Sequence, residues 1–181
     1  DGVVLAVRAL DGEFVSQTHG APPVFDDPRS YVLRLKTADL TMDPASLTAL
    51  LAQQAAKIEK FPLSETRITI EKGALQVTGK LHKGVTVPFS MKASVSAADD
   101  GSLRLHAESL KAVGVPVKGL LDLFGLEVGD LMKAPKGSGI RADGDDLLLD
   151  TAALMPPPRL DGRLQQVAVD GQRLAMRMIG S

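Results

Sequence analysis

The sequence predicts an α+β fold in which a curling antiparallel sheet covers a long amphipathic helix, with a second helix interrupted by glycines. Three observations predict it. The stretch DPASLTALLAQQAAKIEKF, residues 43–61, places Leu47, Leu50, Leu51, Ala55 and Ile58 on one helical face. The stretches flanking it alternate apolar and polar residues over lengths that suit β-strands, with Gly-containing turns between them. An amphipathic helix among strands needs its apolar stripe covered, and a sheet is the available cover.

Taken in order, Val3 to Leu10 reads as a strand, Asp11-Gly12 as a hairpin turn and Glu13 to Gln17 as the return strand. HGAPPVFDDP, residues 19–28, is a loop by composition. Tyr31, Leu33 and Leu35 alternate with Val32, Arg34 and Lys36 in a further strand. Asp43 then suits an N-cap, and Pro44 the first helical position, where a missing N–H costs nothing. Phe61-Pro62 closes the helix, because a residue before proline is pushed out of helical geometry.

From Glu65 to Ala107 the pattern is a meander. Arg67 to Glu71 is a strand turned by Lys72-Gly73, and Leu75, Val77, Gly79 and Leu81 mark the next. His82-Lys83-Gly84 turns the chain again. Val85, Val87, Phe89, Met91, Ala93 and Val95 share one face of a long strand, Asp99-Asp100-Gly101 turns it, and Leu103, Leu105 and Ala107 return. PVKGLLDLFGLEVGDLMK, residues 116–133, keeps helical spacing at Val117, Leu120, Leu121, Phe124, Val128, Leu131 and Met132. Gly119, Gly125 and Gly129 each cost about 0.8–1 kcal/mol there, so this helix is expected to be broken. Hairpin-like units at Gly139–Asp150 and Leu164–Ile179 follow, joined by the stiff connector Met155-Pro-Pro-Pro158. The units VRALDGEFVSQTHG, ITIEKGALQVTGK, IRADGDDLLLDTA and VAVDGQRLAMRMIG all read as strand, turn, strand, as if one hairpin type were reused within a single sheet.

Composition narrows the function classes. The 181 residues suit a single domain over 1–181, large enough to fold without disulfide or metal. Five Phe, one Tyr and no Trp leave the core to aliphatic side chains and Met. A net charge of −1 with no dense basic run disfavours nucleic-acid binding and bulk attraction to an anionic membrane. Without cysteine there is no thiol catalysis and no Cys-based zinc site. No apolar run reaches the ~18 residues of a membrane span. A start at Asp1 without Met leads to the expectation that an upstream segment, a signal peptide or a tag, has been removed.

No residue set announces catalysis. His19, His82 and His106 lack metal-ligand spacing and read as surface histidines. Asp143-Gly-Asp145-Asp146 lacks calcium-loop order and reads as a turn. Asp26-Asp27 and Asp99-Asp100 are turn residues. Gly137-Ser138-Gly139 lacks the context of a nucleophile elbow. The Pro triplet with Arg159 reads as a connector, with recognition by a partner as the rarer use. Lys111, Lys118, Lys133 and Lys136 flank the Gly-interrupted segment, either as solvated lysines or as a rim for transient contact with a membrane surface. No catalytic residue, metal or cofactor is expected.

The order of parts resembles the tubular lipid-binding (TULIP) superfamily, which includes bactericidal/permeability-increasing-type proteins and the LmeA-like and YceB-like bacterial envelope proteins. The resemblance is carried by the helix Asp43–Phe61, the meander ITIEKGALQVTGKLHKGVTVPFSMKASVSAADDGSLRLHAESL, the piece Val117–Met132 and the strands IRADGDDLLLD and LQQVAVDGQRLAMRM. It covers about three quarters of the chain and consists of patterns rather than signature motifs. The chain departs from it by opening on a strand pair. The resemblance implies a TULIP-like half-barrel: a strongly curved antiparallel sheet wrapped along a long helix, with an elongated lipid-holding cavity between them.

The resulting expectation is a non-enzymatic, extracytoplasmic (periplasmic) protein that binds a lipid or other apolar small molecule, with transport and storage both left open. Its cavity would be lined by Leu47, Leu50, Leu51, Ile58, Val87, Phe89, Met91, Leu120, Leu121 and Phe124, with the Gly-interrupted helix as a gate. The alternative is a structural or protein-interaction module of the cell envelope with a filled core. An enzyme would instead need carboxylates or a histidine meeting in a cleft.

Overall fold

The computed structural model describes residues 2–56, 63–83, 85–112, 139–143, 146–151, 155 and 157–181. Among them are eleven strands and one helix, arranged as two sheets. The first sheet runs β1 (Leu5–Ser16), β2 (Tyr31–Met42), β11 (Arg173–Ile179) and β10 (Arg163–Asp170), all antiparallel. The short β9 (Arg159–Asp161) pairs parallel with β2 beyond the end of β11. The second sheet is antiparallel throughout, in the order β3 (Leu63–Glu71), β4 (Ala74–Lys83), β5 (Val85–Ala97), β6 (Leu103–Ala112), β8 (Asp146–Leu149) and β7 (Ile140–Asp143).

This overturns the expected architecture. No long amphipathic helix is wrapped by a single sheet among the described residues: α1 (Pro44–Ala55) has twelve residues, a length of about 18 Å. The reason lies in what covers what. Alternating strands give each sheet one apolar face, and here two such faces contribute to one core, so a helix is not needed as the cover. Leu33, Leu35, Leu40, Leu174, Met176 and Met178 of the first sheet join Ile68, Leu75, Leu81, Phe89 and Met91 of the second in a single buried cluster. Three of the four expected hairpin units form, β3–β4 and β7–β8 in the second sheet and β10–β11 in the first, whereas VRALDGEFVSQTHG contributes the single strand β1.

α1 acts as a clamp between the sheets. Asp43 caps it, its Oδ1 accepting the Ser46 amide at 2.7 Å. On one side the Val4 amide, just before β1, donates to Ser46 Oγ at 3.0 Å. On the other, the Ile68 amide of β3 donates to Thr48 Oγ1 at 2.9 Å. Leu47 is buried, and Leu50 and Leu51 pack half-buried against the common cluster. At the opposite seam the Leu164 amide of β10 donates to the Gly101 carbonyl at 3.2 Å.

Among the described residues Lys72-Gly73 and Asp99-Asp100-Gly101 turn as their residues dictate, and Asp11-Gly12 does not. Lys72 and Gly73 both have positive φ, 51° and 77°, the geometry of the tight hairpin turn that matches strand twist. Asp11-Gly12, expected to turn, instead runs straight through β1. Pairing with β2 along its whole length outweighs the local turn preference, and the dipeptide becomes a register irregularity. Gly12 is required by proximity: a Cβ there would sit 2.5 Å from the Arg34 carbonyl oxygen. The second helical candidate, residues 116–133, lies outside the described residues.

Candidate functional site: the open inner face of strand β1

Opposed residues of an antiparallel pair point to the same face of the sheet. The β1–β2 register sets Val7 against Leu40, Leu10 against Ala38, Gly12 against Leu35 and Phe14 against Leu33. These four β2 residues are all buried. Their β1 counterparts are not: Val7 is 55% exposed, Leu10 40% and Phe14 48%. Leu5, at the start of β1 opposite Met42, still packs half-buried against the core, but from Val7 onward the core stops within one strand spacing, between β2 and β1, while the apolar pattern continues outward. From Val7 to Phe14 the strip runs roughly 23 Å, at ~3.3 Å per residue.

The strip ends in an aromatic corner. Phe14 meets Phe25 at 5.2 Å and Tyr31 at 5.4 Å between ring centroids, both edge to face, and Phe25 meets Tyr31 at 5.8 Å. Three of the chain's six aromatic residues converge here, so aromatic surface is concentrated where the core is open. Phe25 is 65% exposed, and its neighbour Val24 is exposed as well. Ser30 ties the loop that carries them: its hydroxyl oxygen accepts the Val24 amide at 3.1 Å and lies 3.0 Å from the Val24 carbonyl. The Gln17 amide closes the loop base by donating to the Ser30 carbonyl at 2.8 Å.

The far face of the same sheet is charged. Arg177 and Asp39, directly opposed across β11 and β2, form a two-pronged ion pair with Nε–Oδ1 2.8 Å and Nη2–Oδ2 3.0 Å. The Arg177 guanidinium holds the Asp39 carboxyl below its ordinary range, and Asp39 in turn raises Arg177. Lys36 and Asp11 lie 3.5 Å apart, and Arg8 and Asp170 3.7 Å.

Of the residues expected to line a lipid cavity, Leu47, Phe89 and Met91 are buried in the common cluster, and Leu50, Leu51 and Val87 pack against it half-buried. These α1 and β5 side chains thus belong to one cluster of the core. Ile58, Leu120, Leu121 and Phe124 lie outside the described residues, as do Lys118, Lys133 and Lys136; Lys111 is exposed near the end of β6. Alternation alone makes Val7 read as a buried position and does not mark the open strip on β1. Its signal is the marking of an edge strand: Arg8, Asp11 and Glu13 outward, with Gly12 interrupting the run.

The expected surface histidines are at the surface. His82 Nε2 lies 2.6 Å from Ser64 Oγ and its Nδ1 2.8 Å from Thr86 Oγ1, while His106 Nδ1 lies 2.7 Å from Asp146 Oδ1. Among the described residues no three His, Cys, Asp or Glu side chains are grouped to hold a metal ion. Nor is any helix among them long and apolar enough to cross a membrane.

A second, polar feature sits between the sheets. A cleft of about 230 Å³ is lined by Asp100, Gly101, Ser102, Arg141, Asp150, Thr151, Gly162 and Arg163. Asp100 accepts the Ser102 amide at 3.0 Å and pairs with the Arg141 guanidinium. The Ser102 amide and hydroxyl, with Arg141, hold the Asp100 carboxyl down to about 2. Comparison of the chain with protein-family models, with curated proteins and with solved structures finds no match.

Proposed function

We propose that the chain is a non-enzymatic binding protein that takes the hydrocarbon chain of a lipid, or another apolar ligand, along the inner face of β1. The observation that carries this is the half-exposed row Val7, Leu10 and Phe14, opposite β2 residues that are fully buried. Each methylene moved from water onto apolar surface gains at most ~0.8 kcal/mol, so a long chain lying on the strip binds without a polar anchor.

The same strand argues against a peptide as occupant. Addition of an extended peptide needs a regular edge with free backbone groups in register. β1 carries two register irregularities, between Val7 and Ala9 and between Asp11 and Gly12, and charged side chains alternate with its apolar ones. Bulges and charges are the devices that blunt an edge against strand pairing. An apolar ligand uses side-chain surface alone and is indifferent to both.

The test is photo-crosslinking with a fatty acid that carries a diazirine along its chain, followed by peptide mapping. Labels on residues 4–16 and 24–25 are the expected outcome. Uptake with labels confined to other segments, or no uptake from micromolar ligand, would remove the proposal.

A further inference from the structure

We infer that the cleft between the sheets is a binding site for a small oxyanion, a phosphate-ester or carboxylate group, with Arg163 as its primary cation. The inference is independent of the apolar strip. It starts from the chain's buried polar side chains. Among the described residues these are Thr41, Ser46, Ser102 and Thr151. Ser46 is spent on α1, receiving the Val4 amide and donating its own amide to the cap. Ser102 and Thr151, from different segments of the second sheet's end, both line this one cleft.

The charges of the lining divide unequally between internal use and availability. Two arginines face two aspartates. Arg141 is committed to Asp100 and reaches Ser102 Oγ at 3.3 Å. Asp100 is saturated by Arg141 and by Ser102, and Asp150 has an interaction of its own. Arg163 makes no ion pair among the described residues, although it stands at the same cleft. Its five N–H donors match an oxyanion's geometry, and the Thr151 hydroxyl at the same cleft supplies a further donor, the Ser102 hydroxyl being spent on Asp100.

The backbone brings Arg163 to that place. Gly101 has φ +81°, and a Cβ there would come within 2.6 Å of Arg163 Cβ, so the turn at Asp99–Gly101 and the start of β10 close in only because residue 101 lacks a side chain. The Leu164 amide holds the approach by donating to the Gly101 carbonyl. Volume selects a small group: about 230 Å³ lies below the ~300–1,000 Å³ of sites for drug-sized ligands.

The chemistry has two possible sources, a free phosphate ester and the headgroup of an anionic phospholipid. The full chain is titrated with inorganic phosphate and with glycerol 3-phosphate, following backbone amide shifts. Saturable shifts confined to residues 100–102, 150–151 and 162–164 are expected. Arg163→Gln should weaken binding at least tenfold with the spectrum otherwise unchanged, and Arg163→Lys should retain part of it. Flotation with phosphatidylglycerol vesicles, set against pure phosphatidylcholine, then assigns the source. Binding that glycerol 3-phosphate competes away marks a headgroup site, and no flotation marks a free ester. An absence of shifts at 20 mM phosphate, or equal affinity in Arg163→Gln, overturns the inference whatever the crosslinking on β1 shows.

Discussion

If the core ends between β2 and β1, same-face residues of the two strands must respond oppositely to truncation. Leu40 is 2% exposed and Leu10 is 40% exposed, on the same face of neighbouring strands. Leu40→Ala should cost about 2–5 kcal/mol of folding stability, the range for a leucine deleted from a packed interior. Leu10→Ser loses only the part of its contact that folding buries, about 1 kcal/mol, which moves the melting temperature by ~2–4 °C in a domain of this size. Its larger effect should be on ligand. Full burial of a large aliphatic or aromatic side chain gains about 1.5–3 kcal/mol, so covering the exposed share of Leu10 contributes roughly 0.6–1.2 kcal/mol, three- to sevenfold in affinity. The same scaling gives about 0.7–1.4 kcal/mol for Phe14, at 48% exposure. Together with Val7 the three substitutions should lower affinity by roughly 30-fold to 1,000-fold. A fluorescent fatty-acid titration measures this, and urea unfolding of the same samples measures stability. A triple variant that binds like the parent would refute the strip as the site. A Leu10→Ser protein as destabilised as Leu40→Ala would show that β1 is covered in solution.

Leu174→Ala, at a fully buried position on β11 between β2 and β10, should lower stability by about 2–5 kcal/mol, seen as a lower urea midpoint at unchanged slope. Asp43→Ala removes the cap whose Oδ1 holds the Ser46 amide at 2.7 Å, and should cost about 0.5–2 kcal/mol in the same assay. Asp100 titrates at about 2 in the fold against an ordinary 3.8. A carboxyl so depressed stabilises the fold above its unfolded pKa and loses that contribution as pH falls from about 4 toward 2. The stability gap between the parent and Asp100→Asn should therefore be constant near neutrality and shrink over that acid window. Because the carboxylate is half exposed, the gap is expected at about 1 kcal/mol or less.

Much of the chain's local structure is written in short stretches of sequence. Asp43-Pro44 announces the start of α1, Lys72-Gly73 its hairpin, and the alternation from Val85 to Val95 the face that carries Phe89, Met91 and Ala93 into the core. What is not written locally is the pairing of faces. The bond between Asp39 and Arg177 joins residues 138 apart, and it belongs to a sheet built from the two ends of the chain. Period-two alternation tells which side chains share a face but not whether a helix or a second sheet covers it. Alternation is therefore equally compatible with a helix as the cover, whereas the fold uses a second sheet. Asp11-Gly12 failed for the converse reason: its turn preference is local, and pairing with β2 along the rest of the strand overrode it.

The two candidate sites are distinct in chemistry yet share a neighbour. Gly12 pairs with Leu35 from the β1 side. From the other side a Cβ on Gly162, which lines the polar cleft, would approach Leu35 Cβ to 3.2 Å. Leu35 itself is buried, so it is the wall between an open apolar strip and a cleft with an uncommitted cation. Glycine at both positions allows the two backbones to close on that one residue. Both features thus flank the Leu33–Leu35 segment of β2, the strip through Phe14 and Gly12 and the cleft through Gly162. A single amphiphile reaches both only by passing its linker around Leu35, whereas two small ligands need no such connection. Competition between glycerol 3-phosphate and anionic vesicles therefore bears on more than the source of the oxyanion: it decides whether strip and cleft serve one molecule or two.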